Sequence, residues 1–216
     1  MKVIKQRLQR AFTFLEQGNL KQAEILYLEC LDGIDDQASL LFEQALHGLG
    51  YVKSEQGHFS EARDLYLRLI DLAVKKGDQE NEAIAYHQLA MVERMAGRYD
   101  EALYNFSREQ MVYDAKYPHF HLGYAANFYE RGYIHFIQGA YFDAEHFIQA
   151  SLDHALQSKD QIAIGCAWRC LGDIAVKTGE KQAALMHYEQ AKHYFQQAAH
   201  SKAVSEIEET LSKLTQ

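Results

Sequence analysis

Side chains able to hold a metal or act as nucleophiles are present but scattered. The 216 residues include eleven histidines and three cysteines. His119-Phe120-His121 puts two imidazoles two residues apart on a predicted loop, yet a closed zinc site takes four ligands and spacing supplies no third. Cys166 and Cys170, four apart on a predicted helix, would be half of a metal site without a matching pair, so they and Cys30 are read as ordinary buried thiols. GxSxG, GxxxxGK[ST], HExxH and CxxC do not occur, which removes the common nucleophile, phosphate and zinc-protease signatures. The expectation is a chain with no catalytic residues, no metal and no cofactor.

Recognition chemistry is better represented, through fourteen tyrosines and arginines such as Arg94 and Arg169. These residue types combine contact area with a directional polar end. Thirty acidic against 22 basic residues give a formal charge of -8, and Lys75-Lys76 is the one adjacent basic pair. A phosphate-tracking surface is therefore not expected, so nucleic acid is excluded as a partner. No stretch approaches the roughly 18 uncharged apolar residues of a membrane helix. Charges interrupt Met1-Lys2-Val3-Ile4-Lys5-Gln6-Arg7 too often for a secretory segment. An odd cysteine count without framework spacing fits a reducing compartment. A cytoplasmic location with no membrane partner is the expectation.

The residues that would carry recognition must be positioned by helices. Nearly half the residues are apolar and there is one proline, a composition that favours an all-α fold. A hexamer recurs: Gly18 to Ala23, Gly57 to Ala62, Gly97 to Ala102, Gly139 to Ala144 and Gly179 to Ala184, with glycine intervals of 39, 40, 42 and 40. Each glycine is read as the residue closing one helix in a left-handed conformation, where a Cβ is costly. The sixth residue is always alanine, as two closely approaching helices require. Seven residues before each glycine stands another small residue, Ala11, Gly50, Ala90, Gly132 or Gly172. Four after each alanine stands a large one, Tyr27, Tyr66, Phe106, Ile148 or Tyr188, expected to fill space between hairpins.

Trp168-Arg-Cys-Leu171-Gly172 followed by Ala184-x3-Tyr188 resembles the tetratricopeptide repeat signature. Leu46 to Gly50 with Ala62-x3-Tyr66, and Tyr86 to Ala90 with Ala102-x3-Phe106, are similar, while Arg10 and Arg131 occupy the leucine slot of the first and fourth repeats. The period is near 40 instead of about 34, which resembles the longer repeats of Gram-positive peptide-sensing regulators of the Rap and arbitrium-receptor type and of kinesin light chains. Those regulators carry an N-terminal effector segment, and because the first repeat starts almost at Met1 none is expected here. The resemblance implies a right-handed α-solenoid of five tetratricopeptide-like hairpins over a single domain, 1–216. The repeats fall near 4–36, 43–77, 83–117, 125–158 and 165–199, with a capping helix at 202–214. Helices are expected at 2–17, 20–33, 37–56, 59–76, 79–96, 99–116, 119–138, 141–157, 160–178, 181–199 and 202–214, with the joint around Pro118.

In this family the first helices of the repeats form a concave wall that takes ligands. Carrying that register along the glycines selects His47, His87, Tyr129 and Arg169 at ten residues before the glycine. It selects Tyr51, Met91, Tyr133 and Asp173 at six before, and Arg94 and Phe136 at three before. The expected function is a protein- or peptide-binding scaffold in which Arg94 and Arg169 fork onto a carboxylate and the tyrosines flank apolar groups. Three alternatives compete: a ligand-sensing subunit of the peptide-signalling type, an assembly or co-chaperone factor dimerising through terminal repeats, and a wall filled by the chain's own last helix.

Overall fold

A computed structural model describes residues 2–215. Among them are eleven α-helices and no strand: α1 (Lys2–Glu16), α2 (Leu20–Asp32), α3 (Leu40–Glu55), α4 (Phe59–Lys76), α5 (Gln79–Met95), α6 (Tyr99–Lys116), α7 (His121–Ile137), α8 (Tyr141–Ser158), α9 (Gln161–Thr178), α10 (Lys181–Gln197) and α11 (Ser201–Thr215). The protein is an all-α solenoid of helix hairpins. Its residues form two compact units, one ending at Val112 and one beginning at Tyr113 within α6.

The recurring glycines close the first helix of every hairpin. Gly57 has φ 77°, its N–H donates to the Ser54 carbonyl at 3.0 Å, and the His58 N–H donates to the Lys53 carbonyl at 2.9 Å. That pair of bonds satisfies carbonyls a helix end would otherwise orphan. Gly18, Gly97, Gly139 and Gly179 repeat it, with φ between 72° and 84°. Between hairpins the chain uses the same left-handed turn at Gly77, but Lys159 and Ala199 take the equivalent places with φ 61° and 54°.

Helix starts explain the displaced boundaries. Ser39 accepts a hydrogen bond from the Phe42 N–H, so α3 begins at Leu40 and not at 37. Asp78 and Asp160 cap α5 and α9 in the same way. Pro118 sits in a short turn, and α7 starts beyond it at His121 instead of 119.

All five hexamer alanines are fully buried. The large residue four further on lies over the small residue of its own hairpin: a Cβ at Gly50 would stand 2.9 Å from the Tyr66 ring, one at Gly132 2.7 Å from Ile148, and one at Gly172 2.7 Å from Tyr188. These knobs therefore close the inside of hairpins as well as the space between them; Tyr27 of α2 reaches Gly48 of the next hairpin. The two arginines in leucine slots find aromatic cover, Arg10 over Phe14 at 5.5 Å and Arg131 over Phe147 at 4.4 Å.

In the first unit α1 lies against α3, and in the second α7 lies against α9, so the first helices of successive hairpins stand side by side. Lys53, nearly buried, ties α3 to both neighbours, reaching Glu24 of α2 at 2.7 Å and Glu61 of α4 at 2.6 Å. In the Gly97 hexamer, partly exposed Arg98 turns back onto Glu93. Buried Glu93 draws both Arg98 and Arg63, because a carboxylate removed from water needs cationic partners.

Candidate binding sites

The first unit carries an open groove of about 1100 Å³ along α1, α3 and α5. Its floor is apolar and partly bare: Phe12 is 47% exposed, Leu40 61%, Tyr51 42% and Ile84 41%. Three amides, Gln9, Gln44 and Asn81, stand among these side chains, one on each helix. Charge is sparse, since Lys5 and Glu16 are of opposite sign and Glu43 is bound by Lys76. His47 lines this groove with its ring edge-on to Tyr66 at 5.8 Å, and burial holds its pKa below the ordinary histidine value. Its imidazole is accordingly neutral near pH 7.

The second unit holds a smaller, more polar pocket of about 320 Å³, formed by α7, α9, α10 and α11. Tyr129 and Tyr133 stack at 6.3 Å along α7, and Phe136 continues the stack. Arg169 and Asp173 project from consecutive turns of α9. The Tyr188 hydroxyl donates to the Asp173 carboxylate at 2.6 Å, and Glu206 of α11 stands 3.7 Å from the Arg169 guanidinium. Burial raises the Asp173 carboxyl above its usual range, against the opposing pull of Tyr188 and Arg169. Burial likewise pushes the Tyr129 hydroxyl well above its ordinary value.

Of the wall residues read from the sequence, His47 and Tyr51 meet in the groove, and Tyr129, Tyr133, Arg169 and Asp173 meet in the pocket. The other four line neither. His87 turns toward α6, where its Nδ1 lies 3.0 Å from buried Glu109 and its ring meets Phe106 edge-on. Arg94 runs along Met91, 4.0 Å from its sulfur. Phe136 packs against Tyr141 and the core of the second unit. Continuing the glycine register one turn toward each helix start reaches Gln44 and Ile84, and a second turn reaches Leu40 and Asn81. Nothing local marks Glu206, whose partner lies 37 positions earlier.

His119 and His121 lie with ring centroids 6.3 Å apart, and His121 meets His154 with Nδ1 to Nδ1 at 3.2 Å. Among the described residues no three His, Cys, Asp or Glu side chains are grouped to hold a metal ion. Cys30 and Cys170 are buried and Cys166 half-buried, all unpaired; burial pushes the Cys170 thiol up to about 12, so it stays protonated and unreactive at neutral pH. No helix among the described residues is long and apolar enough to cross a membrane.

The helix hairpins are closed by a glycine turn and packed through a small residue against a large knob, and residues 41–108 match the family model described as Tetratricopeptide repeat. Those residues therefore carry the tetratricopeptide repeat, and the chain around them has the same helix-hairpin solenoid, a scaffold fold suited to protein–protein interaction. Its fold is shared with a putative kinesin light chain with nearly identical TPR-like repeats from Podosopora anserina. The two are 16% identical, with a TM-score of 0.72 over 91% of this chain and 96% of that one. It is shared also with the apo form of RapI, 13% identical with a TM-score of 0.69 over 98% of this chain and 70% of that one. A thermophilic TPR protein of Thermus thermophilus is similar too, at 17% identity and a TM-score of 0.62 over 98% of both chains. Comparison with curated protein sequences finds no match.

Proposed function

We propose that the protein is a non-enzymatic scaffold that holds a segment of a partner protein in the groove of α1, α3 and α5. The observation that carries this reading is the bare apolar floor, Phe12, Leu40, Tyr51 and Ile84, spread over three helices around an open groove of about 1100 Å³. Apolar surface of that extent left in water marks an interaction site more often than a free surface. Gln9, Gln44 and Asn81 each carry a donor and an acceptor, which suits them to the peptide groups of a bound segment. The near balance of charge in the lining favours a neutral, apolar-rich segment over an acidic or basic one. His47 and Tyr51 belong to this site. Three unpaired thiols agree with a cytoplasmic location.

The test is Ile84→Glu, which places a charge on the floor at an exposed position. A photoreactive residue at Tyr51 should crosslink a discrete partner peptide in the native cell, and Ile84→Glu should abolish that product while leaving the melting temperature unchanged. Crosslinking that survives Ile84→Glu would rule out the groove as the binding surface. A second copy of this chain as the crosslinked product would make the surface one of self-association.

A further inference from the structure

We infer that the pocket of α7, α9, α10 and α11 binds a free α-amino acid as its zwitterion, a site separate from the groove above. Three charged side chains converge there, the cation Arg169 and the carboxylates Asp173 and Glu206. A lone anion on Arg169 would face both carboxylates, and a lone cation would face the guanidinium. A ligand carrying an ammonium and a carboxylate on one carbon matches both, and an α-amino acid is the simplest such molecule.

The geometry leaves the binding groups in reach. Arg169 and Glu206 are 3.7 Å apart, beyond the roughly 2.7–2.9 Å of a direct charged hydrogen bond, so their attraction leaves N–H donors and carboxylate lone pairs unspent on each other. Asp173 gives one oxygen to Tyr188 and keeps its second for an ammonium donor. The stacked rings of Tyr129 and Tyr133 offer a flat wall for the ligand side chain. A volume of about 320 Å³ lies at the lower end of the range of small-molecule sites, about 300–1,000 Å³, so a single amino acid suits it better than a peptide. In this arrangement Arg169 takes the α-carboxylate, Asp173 and Glu206 take the α-ammonium, and α11 is a wall of the site as well as a cap.

Calorimetric titration of the full chain with each of the twenty protein amino acids tests this. At least one should bind saturably at one equivalent with Kd below about 1 mM. Its N-acetyl and carboxamide derivatives should each bind at least about tenfold more weakly, as should the unmodified ligand to Arg169→Gln and to Glu206→Gln. Glu208→Gln, exposed on the same helix, should bind as the parent does. Absence of binding at about 10 mM for all twenty would overturn the inference. Equal binding of the N-acetyl form would overturn it in favour of a bare carboxylate or peptide C-terminus. If Arg169→Gln fails to fold, the half-exposed Glu206→Gln decides. A lower melting temperature in Glu206→Gln with no change in ligand affinity would make the pair a clamp for α11 only.

Discussion

Tyr66 and Tyr188 occupy the same place in their repeats, nine residues after the turn glycine, and both are buried. Their hydroxyls have opposite fates. Tyr188 donates to the Asp173 carboxylate at 2.6 Å. Tyr66 faces a repeat in which the place of Asp173 is taken by Tyr51, and its buried hydroxyl has no hydrogen-bond partner. Removing each oxygen should therefore give opposite signs. Tyr188→Phe deletes a hydrogen bond to a charged group and leaves a half-buried carboxylate less satisfied, a loss of about 1.5–3 kcal/mol. Tyr66→Phe deletes a buried donor whose burial already cost about 1–3 kcal/mol; with a small void left behind, the net effect should lie between about zero and a gain of 2 kcal/mol. Urea unfolding of the full chain measures both. Trp168, the one tryptophan, reports the second unit by fluorescence, and circular dichroism reports the whole. Separate probes are needed because repeats can unfold in parts. A Tyr66→Phe variant that loses as much as Tyr188→Phe would overturn this comparison, because it would require a strong partner for the Tyr66 hydroxyl.

Three further outcomes are expected. Ala199→Gly should stabilise the chain by about 0.5–1 kcal/mol: the left-handed turn costs alanine about 1–2 kcal/mol, partly offset by the greater freedom of unfolded glycine, and thermal unfolding would show a rise of about 2 °C. Gly132→Ala should destabilise by about 1–3 kcal/mol in urea titration, since its Cβ would stand 2.7 Å from the Ile148 side chain and 3.1 Å from the Ile148 backbone nitrogen. Glu24 is held below the usual glutamate range by Lys53 and then by Gln56, so its contribution is complete above the unfolded value, about pH 4.3, and is lost as pH falls through the lower folded value. Glu24→Gln should therefore lower the melting temperature at pH 7 and flatten its fall between pH 5 and pH 3.

Features that depend on a few adjacent residues were legible in the sequence. The turn glycine needs only its own backbone conformation, and the alanine five residues later needs only a close helix, so five aligned copies revealed both. The repeat register also selects His47 and Tyr51, which line the groove together, because a helix face repeats with the turn. Contacts set by the rotation of a second helix were not legible. His87 looks outward in the register until Glu109, 22 residues on, offers it a buried carboxylate. Nothing in the hexamer marks Arg98 as a partner, together with Arg63, of buried Glu93. Arg169 reads as free to fork onto a ligand, yet Glu206 from the last helix already faces it. In each case an ion pair between elements decides where the side chain goes, and its second member has no fixed spacing.

Whether the groove of α1, α3 and α5 receives a neutral, apolar-rich partner segment comes down to the mass of what a photoreactive residue at Tyr51 captures in the native cell. The same residue at exposed Glu208 of α11 is the reference. One discrete peptide adduct is expected at Tyr51, drawn from a different protein, lost on Ile84→Glu and missing at Glu208. The same adducts at both positions, or none at Tyr51, would show that the groove does not bind such a segment.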